Sequence, residues 1–361
     1  MALIPKSVRR ARFWLAGLCG LLMIAGLSGC ESIAFYRQAV AGEWQMLAKQ
    51  QPIQTLIDNP ATPAPLKVKL EVALKIREFA ARELKLPVDG SYLKYADLHR
   101  PFVVWNVNVA PALSSEPKTW WFPVAGRASY RGYFSEAAAR DYARLWEVKG
   151  WDVYVDGVET YSTLGWFHDP LLNTFIHEPN GDLALTLFHE LGHQRLYVPG
   201  DTDFNEAFAT AVSLEGVRRW FAATDQSQVY RRYEEALVQD DQFVNLVLAA
   251  RKQLEAVYHD ASLSDAAKLE AKGRVIEGMR RDYARLKAQW GGQGTYDGWF
   301  SHPINNAKLN TVSAYYDLVP AFQALLRANG NDMEKFYEAA AALGKLPPAK
   351  RLDALRALAH G

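Results

Sequence analysis

Leu183-Ala184-Leu185-Thr186-Leu187-Phe188-His189-Glu190-Leu191-Gly192-His193 is an apolar run into which two histidines and a glutamate are set. Leu183, Leu187 and Leu191 recur every fourth residue, the period of one helix face, so the run predicts a helix anchored in a core along that face. Positions four apart also share a face. His189 and His193 therefore present their imidazoles to a single ion, the arrangement of an HExxH zinc site. Glu190 stands about 100° round the helix axis. From there it reaches a water at the metal instead of joining the ligands. With eight histidines in 361 residues, a chance HExxH match is on the order of one chain in a hundred. The reading is a catalytic zinc, one Zn2+ per chain, with His189 and His193 as ligands and Glu190 as general base.

A catalytic zinc takes three protein ligands and keeps a fourth position open. Tyr197-Val198-Pro199-Gly200-Asp201 breaks the helix, and Asp203-Phe204-Asn205-Glu206-Ala207-Phe208-Ala209 starts another. If this second helix folds back, an acid in its first turns meets the two histidines. Glu206 is the expected third ligand, with Ala207 and Ala209 small enough for close helix contact. Two alternatives stand beside it: Asp203 and Glu206 form a capping box, or Asp201 or Asp203 ligates instead. Tyr161, Tyr315, Tyr316 and His168 are candidates for the donor that stabilises a tetrahedral oxyanion. Asn205, Asp203 and Asn306 are chemically suited to orient the imidazoles.

Outward from this pair, the N-terminal side turns to β-branched and aromatic residues at Phe102 to Val109 and at Thr119 to Val124, the texture of strands. Ser135 with Glu136 opens a helix, and Trp151 to Val155 reads as a further strand closed by an Asp156-Gly157 turn. Helical spacing is expected at Glu43 to Lys49 and Leu66 to Leu86, joined by a proline-rich linker. Residues 227–290 are rich in Ala, Leu, Glu, Arg and Lys, with Ser262-Leu263-Ser264-Asp265 as a stop-and-start signal, and predict a helical hairpin. Asn306 to Ala328 and Met333 to Leu343 are helical again, ahead of Pro347-Pro348. The expected class is α+β: a mostly helical, zincin-like fold, with a small sheet before the HExxH helix and a long hairpin, inserted at about 227–290, after it.

The first residues stand apart. Lys6, Arg9, Arg10 and Arg12 precede an uncharged apolar run from Phe13 to Leu27. That is the form of a secretory signal, and the run is short of the roughly 20 residues that cross a bilayer. Leu27-Ser28-Gly29-Cys30 resembles the lipobox of bacterial lipoproteins, which implies lipid on Cys30, a signal peptide over 1–29 and a mature domain over 30–361. Export would leave Cys30 as the sole cysteine and no disulfide. Its stability then rests on a core, and on any metal. Basic and acidic residues nearly cancel, at 41 against 40, and are interspersed, so no field recruits nucleic acid.

His189-Glu190-Leu191-Gly192-His193 together with Asp201-Thr202-Asp203-Phe204-Asn205-Glu206-Ala207-Phe208-Ala209 resembles a family of predicted bacterial aminopeptidases, many of them lipoproteins. The likeness extends through Phe122 to Gly126, Tyr130 to Phe134, Tyr161 to Phe167 and Asn305-Asn306-Ala307. The resemblance implies a glutamate-zincin acting on peptides, with zinc on His189, His193 and Glu206 and Glu190 as base; Glu31 after Cys30, by resemblance to Gram-negative lipoproteins, implies the periplasmic face of the outer membrane if the host is Gram-negative. The chain has no Gly-x-Met-Glu-Asn segment of the kind that grips the substrate amine in well-studied zinc aminopeptidases. An endopeptidase shares every one of these residues. A lipid-anchored assembly factor with a structural zinc would share the ligands but have no use for Glu190.

Overall fold

The computed structural model describes residues 30–122, 126–160, 168–224, 227–316 and 318–360; at 30–33, 227–232, 314–316 and 360 it describes the backbone alone. Its organising sheet follows from the alternation in Trp105-Asn106-Val107-Asn108-Val109. Strand β3 (Val104–Ala110) lies between β6 (Tyr130–Tyr133) and β7 (Asp152–Val158), antiparallel to both. Successive side chains of a strand point to opposite faces. Trp105, Val107 and Val109 therefore enter one core, with Val153 and Val155 of β7 against them. Asn106 and Asn108, paired with Asp156 and Tyr154, face the other way and line a cleft.

The expected Asp156-Gly157 turn is instead part of β7. Gly157 is needed there because a Cβ would lie 2.4 Å from the Phe102 ring. Two further small sheets complete the β content. In one, β4 (Trp120–Phe122) pairs with β5 (Gly126–Ala128); in the other, β2 (Lys94–Ala96) lies between β1 (Gln51–Pro52) and β8 (Leu171–Leu172). One sheet was expected before the HExxH helix, and three small ones share its place.

Helices cover the sheet's apolar face. α1 (Cys30–Ala48) starts well before the expected Glu43, and turns Phe35, Gly42 and Met46 inward. The proline-rich linker contains a short α2 (Ile53–Asp58) ahead of α3 (Ala64–Arg82). α4 (Glu136–Glu147) is capped by Ser135, whose side chain accepts from the Ala138 amide, and buries Ala139, Tyr142 and Ala143 on the sheet.

Glu43 of α1 also points inward, and both its carboxylate oxygens are buried with no hydrogen-bond partner among the described residues. Burial, then the charge of Asp169, pushes its pKa up to about 7. The folded chain thus keeps a proton that the unfolded chain releases around 4.5. This contribution is fully present below the unfolded value and is lost as pH rises through about 7. Glu43→Gln, which keeps the neutral form, is expected to raise the Tm at pH 8 while changing it little near pH 4. Thermal unfolding at the two pH values checks this.

Two long helices, α5 (Asn180–Arg195) and α6 (Thr202–Ala223), carry the histidine and glutamate motifs. Beyond them α7 (Ser227–His259) and α8 (Asp265–Gln289) form the expected helical hairpin, with Ser264 capping the second arm. Val247, Leu254, Met279 and Tyr283 make its interior. Rings of the following segment, which includes α9 (Asp297–Ser301), clamp it: Tyr296 stacks on Phe243 at 3.8 Å and Phe300 on Tyr283 at 4.0 Å. The helical structure expected from Asn306 to Ala328 comes as two helices, α10 (Asn306–Tyr316) and α11 (Val319–Ala328). α12 (Met333–Gly344) ends where expected, but Pro347-Pro348 does not end helical structure. Pro348 instead opens α13 (Pro348–His360), because the first helical position has no use for the missing N–H.

Asn306, expected to orient an imidazole, has a different role. Its side-chain amide donates to the carbonyls of Pro111 and Ala112 at 3.0 and 3.1 Å, and its carbonyl accepts from the Tyr258 hydroxyl at 2.8 Å. Lys272 of α8 joins the same knot through Asp152 and the Ala112 carbonyl. Here the hairpin is tied to the sheet. Asn306→Ala leaves the buried Tyr258 hydroxyl without its acceptor and takes one donor from each of the part-buried Pro111 and Ala112 carbonyls, which keep the Ser114 amide and Lys272. It is expected to destabilise the fold by about 2 kcal/mol, read from chemical denaturation.

Candidate active site

α5 is buried along most of its circumference, with Leu183, Ala184, Leu187, Phe188 and Leu191 all at 0% exposure. The leucine face expected from the sequence lies in the main core. α6 folds back along α5, and Gly192 lets the two backbones approach: a Cβ there would stand 3.3 Å from the Ala209 Cα. The turn between them is pinned at several points. Asn205 exchanges both hydrogen bonds with the Val198 backbone, at 2.7 and 2.9 Å, and Gly200 takes the left-handed conformation at φ 86°. Asp201 caps α6 by accepting from the Phe204 amide, while its other oxygen pairs with Arg351 of α13.

That cap decides between the sequence alternatives for the start of α6. The capping residue is Asp201, not Asp203, so Glu206 closes no capping box. Its carboxylate turns instead to the histidines. His189 Nε2 lies 3.2 Å from Glu206 Oε2, His193 Nε2 3.4 Å from the same oxygen, and the two Nε2 atoms are 3.1 Å apart. Two donors bound at about 2.0–2.1 Å in tetrahedral geometry stand roughly 3.3–3.4 Å apart. The three atoms thus form a nearly equilateral triangle of the size that one ion requires, and the cluster could hold a metal ion. Asp201, committed to its cap and to Arg351, is not part of it. Asp203 is exposed and lines the cleft beside Glu206.

Electrostatics bind the triangle together. Burial by itself pushes the Glu206 carboxyl up, but His193 and His189 hold it well below the usual carboxylate range. Burial lowers the His193 imidazole, yet the charge and hydrogen bond of Glu206 raise it overall. His193 Nδ1 is buried without a hydrogen-bond partner among the described residues. Asn205 is occupied by the turn and Asn306 by the hairpin knot, so neither orients an imidazole as expected.

Glu190 is buried on the side of α5 that faces residues 91–92 and 169. One turn on, Gln194 donates to Asp169 at 3.0 Å. Tyr92 is buried here in the left-handed region at φ 59°. Its hydroxyl pKa is raised well above the ordinary value by burial, then by the charges of Glu190 and Asp169. No periodicity marks Tyr92, because its conformation is imposed by packing. Tyr197, four residues after His193, was also missed: its ring centroid lies 6.5 Å from that of His193, and burial and then the Glu206 charge raise its pKa. The i+4 spacing was the available signal. Of the candidate oxyanion donors, Tyr161 and the side chains of Tyr315 and Tyr316 lie outside the described residues. His168 is exposed, with its ring against Gly90.

Through Glu206 the triangle borders a cavity of about 520 Å³ between the polar face of the sheet, α5, α6, α10 and the hairpin. Carboxylates dominate its charge: Asp156, Glu159, Glu178, Asp203 and Glu206 line it, and Arg251 is the one cation among the described lining residues. Arg251 is itself held by Glu255 and Asn310. Glu178 is pushed up to about 7, first by burial and also by Glu159 and Asp182, against the Thr186 hydrogen bond. Burial and then the Asp156 charge raise Glu159 as well.

No curated protein and no solved structure matches the chain. The family model described as "Putative aminopeptidase" matches residues 34–355, a span that holds the His189, His193 and Glu206 triangle and every described residue of its cleft. The chain therefore belongs to this "Putative aminopeptidase" family, and its kind of chemistry is that of a peptidase.

Proposed function

We propose that the chain is a zinc aminopeptidase in which His189, His193 and Glu206 hold the metal and Glu190 is the general base. The observation that carries this is the triangle of two imidazole nitrogens and one carboxylate oxygen, with a second carboxylate, Glu190, on the same helix as the histidines. Zinc held there would polarise a water and the carbonyl of the scissile peptide. Glu190 would accept a proton from the attacking water and deliver it to the leaving amine as the peptide C–N bond breaks. The buried α5–α6 contact keeps these groups in register, and the closed Asn205 turn fixes the direction of Glu206.

The acidic lining supports the exopeptidase form of this reading. Carboxylates that raise one another's pKa are relieved by a cation, and the α-ammonium of a peptide is such a cation. Free and N-acetylated peptides of the same sequences, incubated with the protein and zinc, test it. Cleavage of the free forms only, one residue from the N-terminus, is expected. Equal cleavage of blocked peptides at internal bonds would make the protein an endopeptidase.

For localisation, the proposal is an exported chain tethered through lipid on Cys30, on the periplasmic face of the outer membrane in a Gram-negative host. Leu27-Ser28-Gly29-Cys30 supports it. Metabolic labelling with a fatty acid should be lost in Cys30→Ala, and undiminished label would remove the tether.

A further inference from the structure

We propose that the outward face of α1 lies on the surface of a phospholipid bilayer. α1 begins at Cys30, directly after the apolar run from Phe13 to Leu27. Phe35, Gly42 and Met46 turn into the protein, and Glu43, the acid in the middle of the helix, turns inward with them. The opposite face carries Arg37, Val40, Ala41, Trp44, Gln45 and Ala48, spaced three and four apart and all exposed. Val40 is 66% and Trp44 72% exposed. Among its described residues this face holds no carboxylate and a single basic residue.

No helix among the described residues is long and apolar enough to cross a membrane. The chain before Cys30 is the apolar segment, and whether it is exchanged for lipid or retained, the first turn of α1 is held at the membrane. A helix of 19 residues is about 28 Å long. Standing upright, it would carry Trp44 into water; lying flat, it seats Val40 and Trp44 at the headgroup level, where an indole is favoured, and brings Arg37 to anionic lipid. The apolar stripe selects the flat arrangement. α1 packs through Phe35 on the sheet face that carries Trp105 and Val107, whereas the cleft lies on the face of Asn106 and Asn108. A membrane-seated α1 therefore turns the cleft to water, and the substrates are soluble peptides.

This rests on the membrane tether proposed above, and the experiment separates the two. The full lipidated chain carrying Trp44→Cys, labelled with an environment-sensitive fluorophore, is reconstituted on vesicles of phosphatidylethanolamine and phosphatidylglycerol. Leu269→Cys, an exposed position on the hairpin, serves as the control. Lipids bearing a nitroxide near the headgroup should quench the label at position 44 several times more strongly than the label at 269, and its emission should shift to the blue. Vesicle-bound protein whose label at 44 stays open to aqueous iodide as fully as that at 269 overturns the inference and leaves the tether standing. A chain left in the supernatant overturns the tether, and the inference with it.

Discussion

Glu190→Gln is expected to retain its zinc and its fold and to lose peptide hydrolysis by roughly 10²- to 10⁴-fold, the contribution of a positioned general base. Gln keeps the size of the side chain, so the packing of α5 against residues 91–92 and 169 survives. It removes the carboxylate that lies between the two histidines on α5 and is not one of the three donors. The shared face of α5 presents His189 and His193, while Glu190 lies outside the donor set, so metal content should not follow the substitution. Zinc content, thermal unfolding and hydrolysis measured on one preparation decide the matter. Hydrolysis near the normal rate with zinc still bound would end this mechanism, and loss of zinc would move Glu190 into the assembly of the site.

Much of this arrangement was legible because it follows local periodicities. The i, i+4 spacing of His189 and His193 and the leucines opposite them specify a buried helix with a polar edge. The alternation in Trp105-Asn106-Val107-Asn108-Val109 specifies a strand with one wet face, and the structure puts that face in the cleft. The sequence was ambiguous wherever one residue type serves two roles. Asp201 and Asp203 are both good caps, and only the seating of Asp201 between the Phe204 amide and Arg351 separates them. Arg351 comes from α13, a helix hidden behind two prolines. Asp156-Gly157 has turn chemistry, yet the Phe102 ring requires a glycine within a strand. Asn306 could equally orient a ring or tie a hairpin to a sheet. Tyr92, Glu178 and Asp156 reach the site from distant parts of the chain, and such long-range contacts leave no pattern in sequence.

Loss of a metal ligand is the other large effect. His189→Ala, His193→Ala and Glu206→Ala are each expected to lower zinc affinity by well over the roughly 10- to 100-fold that loss of an outer partner costs. Each removes one corner of a triangle whose sides are 3.1, 3.2 and 3.4 Å. Asp203→Ala, at an exposed position on the cleft wall, should keep full zinc. Asp201→Ala should keep zinc as well but lose stability, since a helix cap of this kind contributes about 1 kcal/mol and the buried Arg351 guanidinium would lose its ion pair. The two aspartates thus test different things: one the fold of the turn, the other the identity of the third ligand. Zinc counted per chain by mass spectrometry under native conditions, beside Tm for each variant, separates them. Full zinc in Glu206→Ala together with its loss in Asp203→Ala would transfer the ligand to Asp203. In the expected pattern, metal content follows the triangle and stability follows the cap, because the backbone of the turn sets where Glu206 points and, of the three acids, only Glu206 belongs to the proposed ligand set.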